Sequence, residues 1–243
     1  MLTDIWTVMR KELQEAFNLG DRVGKFGLLF MMFSFGILLP WQMGRSWVES
    51  PITLVYWSWV PLFLVNAVVA DSFAGERERH TLETLLASRL PDQAILFGKL
   101  LAALAYGVGL TWASLLVGLV TINLFHGEGR LLFYPPAVAL GVIGISLLSG
   151  GLAAGAGVLV SLRAKSVQQA TQVLSIAIMA LIFIPTFGLQ ALPAAWQERL
   201  WNIVSGWNVT QAVLVAIAVL AVLNSVLIGA AMRRFQRARL IAD

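Results

Sequence analysis

Cysteine is absent from this chain of 243 residues, and charged residues make up only 12% of it. Without cysteine there can be no disulfide and no thiolate metal site. The scarcity of charge goes with a hydrophobic content of 58%, which is more apolar surface than a soluble domain of this length buries. The composition therefore predicts a chain whose excess apolar surface is covered by lipid.

A nucleotide-binding motif is missing as well. Residues 20–25, GDRVGK, lack the spacing of a P-loop and the Ser or Thr that follows its lysine. The two histidines, His80 and His126, fall on opposite sides of the membrane in the topology below, so they cannot share a metal ion or a catalytic dyad. We therefore expect no enzyme activity, no metal site and no cofactor in this chain.

Six mainly apolar stretches are long enough to cross a hydrocarbon core about 30 Å thick as helices of roughly 20 residues. They cover residues 26–43, 52–70, 95–124, 135–160, 169–190 and 208–231. None has an ionisable residue in its middle, which argues against proton or sodium coupling within the chain. The expected fold is all-α, a single polytopic membrane domain of residues 1–243 with six transmembrane helices.

The cations predict the orientation of these helices. Fourteen of the 17 Lys and Arg residues lie in four alternate segments: Arg10, Lys11, Arg22, Lys25, Arg77, Arg79, Arg89, Lys99, Arg163, Lys165, Arg233, Arg234, Arg237 and Arg239. By the positive-inside rule both termini are cytoplasmic, in a multi-pass protein of the cell (inner) membrane. Seven of the nine tryptophans then map near the outer interface: Trp41, Trp47, Trp57, Trp59, Trp196, Trp201 and Trp207. Because the cations follow the topology, the expected partner is anionic lipid and not nucleic acid.

Two helices are expected outside the spans. Residues 2–17 place apolar side chains at i, i+3, i+4 spacing, which predicts an amphipathic helix within residues 1–24. This helix lies in the inner interface or packs on a partner protein. Residues 191–207 carry Trp196 and Leu200 on one face and predict a short outer helix, interfacial or re-entrant, before the last span.

The longest cytoplasmic connection lies between the second and third spans, and residues 71–94 form its core. Leu82, Leu85 and Leu86 make a short apolar face, while Glu76 and Glu83 fall on a charged one with Arg79 or His80. A solvated loop does not need a helix with its own apolar stripe. The segment therefore predicts a docking element for another protein.

Small and polar residues mark two further positions inside the spans. Gly151 and Gly155 form a GxxxG pair, which allows close approach of a second helix. Gln168, Gln172 and Ser175 share one face at the cytoplasmic end of the fifth span, where either interhelical hydrogen bonding or the lining of a pathway accounts for them.

Residues 71–99 resemble the cytoplasmic loop of ABC-2-type permeases, the membrane subunits of bacterial and archaeal ABC exporters. The matching residues are Glu76, Glu78, Thr81, Leu82, Glu83, Leu85, Leu86, Ile95, Gly98 and Lys99. His80 stands where many members have glycine, and Ser88-Arg89-Leu90-Pro91 replaces the usual Ser/Thr-Pro. The six spans, the N-terminal helix and the outer helix are similar to that family too.

The resemblance implies a permease that pairs with a like subunit and binds two cytoplasmic ATPases, which hold the ATP and Mg. It assigns the ATPase coupling to Glu76, Glu78, Arg79, His80, Thr81, Leu82, Glu83, Leu85 and Leu86. Of these residues, we expect Glu76, Leu82, Glu83 and Leu86 to make the main contacts with the ATPase. By the same resemblance the second and fifth spans line the path, bringing Asn66, Gln172 and Ser175 towards it. Uncharged spans favour export of an amphiphilic or hydrophobic substrate.

Two other functions fit the same pattern. An ABC-type bundle can transmit mechanical force to an outer-side partner, and the short outer loops then require that partner to be a separate chain. A cofactor-maturation subunit that handles haem is suggested by His126 on the outer side, although no second axial ligand is visible. Copurification and spectra after haem addition distinguish these possibilities.

Overall fold

A computed structural model of the chain describes residues 1–18, 22–51, 53–81, 85 and 87–235. Regular structure in these residues is entirely helical. The elements are α1 (Leu2–Asn18), α2 (Arg22–Phe33), a π-helical turn (Ser34–Leu38), α3 (Leu39–Met43), α4 (Ser46–Glu49), α5 (Thr53–Glu78), α6 (Asp92–His126), α7 (Pro136–Ser161), α8 (Val167–Ala191), α9 (Ala194–Ser205) and α10 (Val209–Arg234). The prediction of an all-α chain is confirmed.

In the part of the chain that the structure describes, five helices are long and apolar enough to cross a membrane, namely α5, α6, α7, α8 and α10. The predicted first span falls on a shorter apolar helix, Gly27–Met43, which α2, the π turn and α3 build together. In the π turn the Thr121 hydroxyl of α6 donates a hydrogen bond to the carbonyl of Gly36 at 2.8 Å. Five spans are thus supported by length, and the sixth crossing stays a prediction.

Helices α5 and α7 pack closely along their length because α7 presents glycines to α5. A Cβ added at Gly157 would lie 2.1 Å from the Val69 side chain, and one at Gly150 would lie 3.5 Å from Pro61. Near the end of this contact the Ser161 hydroxyl accepts hydrogen bonds from the backbone N–H groups of Phe73 and Ala74. The two helix backbones are therefore in nearly direct contact.

The GxxxG pair of α7 faces α10. A Cβ at Gly151 would lie 2.4 Å from Asn224 Oδ1, and one at Gly155 would lie 3.1 Å from Leu227 Cβ. Asn224 is buried and donates to the carbonyl oxygen of Leu148 at 2.8 Å. Two sets of glycines on α7 thus hold α5 on one side and α10 on the other.

The seven tryptophans predicted near the outer interface differ in burial: two are buried, four are exposed, and Trp59 is intermediate. Trp47 and Trp57 are completely buried. Trp47 stacks on Tyr56, and Trp57 packs at a tilt against Phe35, so both are packing residues in the bundle and not members of an interfacial belt. Trp41, Trp196, Trp201 and Trp207 are exposed, as an aromatic belt requires. The sequence pattern could not separate the groups because it reports depth along the membrane and not the direction of a side chain.

Helices α8 and α10 are largely uncovered. Only 12% of the apolar window of α8 and 6% of that of α10 is buried, against 50% for α5 and 56% for α7. Helices α5 and α7 therefore form the centre of the bundle. Helices α8 and α10 present their outward faces to lipid or to another protein.

Candidate coupling site

Helix α5 does not stop at the membrane boundary that hydropathy places near residue 70, but continues through the charged start of the loop to Glu78. Its end is a Schellman motif: the N–H of Thr81 donates to the carbonyl of Glu76 at 2.8 Å, and that of His80 to Arg77 at 3.1 Å. His80 occupies the left-handed position of the motif, with φ of 57°. Glycine suits that position best, which explains the glycine of the family pattern there.

Glu76 points into the chain. It is 7% exposed, and its carboxylate accepts a hydrogen bond from the Thr81 hydroxyl. Oε1 of the same carboxylate lies 3.3 Å from Lys99 Nζ and 3.6 Å from Lys11 Nζ. Glu76 therefore links the end of α5 to the start of α6 and to α1. The contacts of Glu76 in this structure lie within the chain, and its contact with an ATPase stays a prediction.

Lys99 is the centre of this cluster, and its side chain is 1% exposed. The ammonium donates to Glu12 Oε1 at 2.7 Å, to the carbonyl of Ser72 at 2.8 Å and to Glu76 Oε1 at 3.3 Å. It also lies 5.4 Å from the centre of the Phe73 ring. All three ammonium hydrogens are used, which is the condition for burying a charge without a large penalty.

Helix α1 is held against the base of α6 by a glycine and by charge. A Cβ at Gly98 would lie 2.6 Å from the Val8 side chain, so glycine is required for α1 to approach this closely. Burial alone would lower the pKa of Lys11, but attraction to Glu76, and then to Glu12 and Glu15, outweighs burial and raises that pKa. Lys11 therefore stays charged beside the cluster.

Arg77 and Glu78 reach the connection between α7 and α8. The Arg77 guanidinium donates to the carbonyl of Leu162 at 2.8 Å and to that of Ala164, both just beyond the end of α7. The Glu78 carboxylate accepts from the N–H of Val167, the first residue of α8, at 3.2 Å. A cation thus meets a helix C-terminus and an anion meets a helix N-terminus, the favourable arrangement for both dipoles.

Arg79 folds back on its own helix. Its Nη2 lies 2.7 Å from Asp71 Oδ2. Gly75 lies between the two residues and makes room for this ion pair, because a Cβ at position 75 would lie 2.1 Å from Asp71 Oδ1. The hydrogen bond to Asp71 raises the pKa of Arg79. Four consecutive charged residues, 76–79, therefore contact different parts of the chain.

The other predicted coupling residues are only partly described. Leu82, Glu83 and Leu86 lie outside the described residues. Leu85 is half-buried and packs against the chain's own core, whereas Thr81 and His80 are exposed. The coupling role of all these residues stays a prediction.

The predicted pathway residues separate into two settings. Asn66 is 6% exposed, and its Nδ2 lies 3.5 Å from Ser175 Oγ on α8. Asn66 Oδ1 is buried and has no hydrogen-bond partner among the described residues. Gln168 and Gln172 are exposed on the uncovered side of α8. The structure thus brings Asn66 and Ser175 together and leaves both glutamines open to a further surface.

Sequence reasoning gave no site role to Lys99, Glu12 or Arg77. Lys99 sits at the start of a predicted span, where a lysine usually extends towards the interface, and Glu12 was one polar residue on an amphipathic wheel. One available signal was the lysine within a predicted span, because an ionisable residue there needs a partner. The sequence did not reveal which partner it has.

The comparisons with known proteins agree with this architecture. Residues 61–231 match a family model described as ABC-2 family transporter protein. The matched region begins in α5 and ends in α10, so it includes the charged end of α5 and the five helices that follow it, the last of them along most of its length. No curated protein sequence matches the chain.

Proposed function

The chain belongs to the ABC-2 family of transporter proteins, and from this premise we propose that it is the permease subunit of an ATP-binding-cassette exporter. In this proposal two copies, or this chain and a similar one, span the membrane and bind two cytoplasmic ATPases. The ATPases hold the ATP and Mg, and the permease carries an amphiphilic or hydrophobic substrate outwards. Helices suited to a multi-pass membrane protein support this assignment.

The proposed topology has six crossings with both termini in the cytoplasm. The short apolar helix Gly27–Met43 supplies the first crossing, and five longer helices supply the others. The uneven distribution of Lys and Arg supports this orientation in the cell membrane. Helix α1 then lies at the inner interface, and α9 lies at the outer one.

The observation that carries the proposal is the set of contacts made by residues 76–79 and Lys99 at the two roots of the loop between α5 and α6. Through Glu76 and Lys99 the loop is tied to α1 and α6, and through Arg77 and Glu78 it is tied to the connection between α7 and α8. A displacement of the loop by an ATPase is therefore passed to several helices at once. Coupling of this kind requires the loop to dock differently in the two nucleotide states.

A second copy is proposed to cover the outward face of α8. Gln168 and Gln172 are exposed on a helix that otherwise exposes large apolar side chains, and uncharged polar groups within a membrane usually face another helix or a water-filled path. On α10 the exposed Ser225 instead donates to the carbonyl of Ala221 in its own helix. These observations favour α8 for the subunit interface and the substrate path, and α10 for lipid.

The ATPase partner is testable by copurification. The tagged full-length chain is isolated from its native membranes in mild detergent and labelled with a photoreactive ATP analogue. We expect the label on a separate cytoplasmic polypeptide that copurifies with the chain. Label on this chain itself, or no labelled companion, would refute the proposal.

The loop's part in docking is tested by reversing a charge within it. Glu83→Lys should reduce the yield of the copurifying ATPase while the chain remains folded, because Glu83 is one of the residues proposed to contact the ATPase. Glu198→Lys, an exposed position on α9, makes the same change of charge at the proposed outer side and should leave the yield unchanged. Equal yields from both variants would remove Glu83 from the docking surface.

A further inference from the structure

A cavity of about 380 Å³ lies between α7, α8 and α10, at the same end of the bundle as the coupling site. Its lining has a polar part, made by Arg163, Gln169 and Arg234, and an apolar part made by Leu159, Val160, Val173 and Ala230. Ala164, whose carbonyl accepts from Arg77, completes the lining. The cavity is therefore amphipathic and open at an end that carries two guanidinium groups.

Neither guanidinium has an acidic neighbour in the cavity. No Asp or Glu is among its lining residues, and the ion pairs of the described residues include neither Arg163 nor Arg234. Both side chains are exposed. The carboxyl ends of α7 and α10 bring about half a negative charge each, which two full positive charges outweigh. The polar end is thus suited to an anion.

The apolar walls extend from this basic end into the membrane. Ala230 lies one helical turn before Arg234 in α10, and Val173 lies almost two turns after the start of α8 at Val167. At 1.5 Å per residue these walls reach roughly 6–9 Å from the basic end. A free phosphate ion would contact only the basic end, whereas a phospholipid would contact both parts.

We infer that this cavity binds an anionic phospholipid of the inner leaflet, with its phosphate between Arg163 and Arg234 and the start of an acyl chain along the apolar walls. Guanidinium groups form paired hydrogen bonds with phosphate, and basic pockets between helices on the cytoplasmic side bind anionic headgroups. The inference rests on the proposed topology, which places this end at the cytoplasmic leaflet. Because Arg77 holds one wall of the cavity, lipid occupancy is linked to the coupling site.

The test measures lipid retention by the full-length chain purified in mild detergent. Native mass spectrometry follows bound phosphatidylglycerol and phosphatidylcholine with identical acyl chains, offered at equal concentration. We expect the wild type to retain phosphatidylglycerol preferentially, and each of Arg163→Gln and Arg234→Gln to lower that preference about five-fold. The double variant should lower it about thirty-fold.

A matched control makes the same change of charge at neighbouring positions. Lys165→Gln with Arg233→Gln removes two cations from the same segments, but neither residue lines the cavity. This control should keep the wild-type preference. If the control loses as much of the preference for phosphatidylglycerol as the double arginine variant does, the preference comes from general surface charge, and the proposed lipid site is refuted. A wild type without any preference also overturns it.

Two further arms separate a lipid site from a phosphate site. Ala230→Phe fills the apolar part and keeps both arginines, so it should reduce phosphatidylglycerol retention while the thermal unfolding midpoint stays near that of the wild type. Inorganic phosphate at concentrations that match the lipid should not displace it. Displacement by phosphate, or full retention by Ala230→Phe, would contradict the lipid assignment. No ATPase or transport is needed, so failure here leaves the proposed function standing, and failure of the ATPase copurification leaves the lipid site standing.

Discussion

At the scale of single residues, Lys99 has an unusual position for a membrane protein, because a full charge is buried at the start of a span. It is tolerated because two carboxylates and a backbone carbonyl use all its hydrogens. Removing one partner of a buried ion pair leaves the other charges uncompensated, which is costlier than removing the whole group.

Lys99→Met should therefore lower the free energy of unfolding by about 3 kcal/mol, since Glu12 and Glu76 lose their closest cation. Lys11, at 3.6 Å from Glu76, partly replaces it and limits the loss. The measurement is chemical or thermal unfolding of the purified chain in detergent. Lys165→Met, on an exposed lysine, should change stability by less than about 0.5 kcal/mol, and an equal loss from both would contradict the role of Lys99.

His80 offers a second test at the residue scale. Its φ of 57° is favourable for glycine and costs other residues about 1–2 kcal/mol. His80→Gly should keep or raise the unfolding midpoint, and His80→Val should lower it, because a β-branched side chain tolerates this backbone region least. A higher midpoint for His80→Val than for His80→Gly would show that the Schellman geometry does not hold the end of α5.

At the scale of elements, the end of α5 connects helices that are far apart in sequence. Arg77 holds the C-terminus of α7 and Glu78 holds the N-terminus of α8. Hydrogen bonds that involve a charged group are each worth about 1.5–3 kcal/mol. These contacts can therefore fix the position of the loop after α5 relative to the connection between α7 and α8.

Arg77→Gln should therefore loosen the link between the loop and α8. The chain has no cysteine, so spin labels can be placed at Arg89→Cys and Gln172→Cys without a background. We expect a narrow distribution of label distances in the parent and a broader one with Arg77→Gln, because two carbonyl contacts are lost. Lys165→Gln removes an exposed cation from the same connection, outside the cavity, and should leave the distribution narrow. Equal broadening in both would show that Arg77 has no special part.

At the scale of the whole molecule, the uneven burial of the helices leaves α8 and α10 open to lipid or to another protein. Helices α5 and α7 are covered by their neighbours, while α8 exposes Ile176, Met179 and Phe183 alongside its glutamines. Exposed apolar side chains on a membrane-spanning helix can face lipid, whereas polar side chains among them usually face another helix or a water-filled path. The proposed second copy would cover this face and place Asn66 and Ser175 near the path.

A cross-linking prediction follows for the dimer. Ile176→Cys, 66% exposed on α8, should give a cross-linked dimer with a short bis-maleimide in native membranes. Leu116→Cys, 61% exposed on α6, is the matched control and should give much less. If Leu116→Cys cross-links as efficiently as Ile176→Cys, α8 is not the interface between copies.

How far the sequence predicts this protein depends on whether a feature is local. Hydropathy and helical period are local, so the all-helical fold, five spans and the helix before the last span follow from the sequence. The family resemblance is confirmed for the same reason, because it rests on a short motif with fixed spacing. The end of α5 at Glu78 was missed, because the charges that end a hydropathy window are compatible with helix continuation.

The sequence by itself determined that this chain is a helical membrane protein of the ABC-2 family, with a charged loop between two of its spans. Only the tertiary structure decided where those charges go: Lys99 to Glu12, 87 positions away, and Glu78 to Val167, 89 positions away. Such pairs have no periodic signature, because they depend on which helices pack together and on the glycines that let them approach. The buried cluster and the basic cavity are both consequences of that packing.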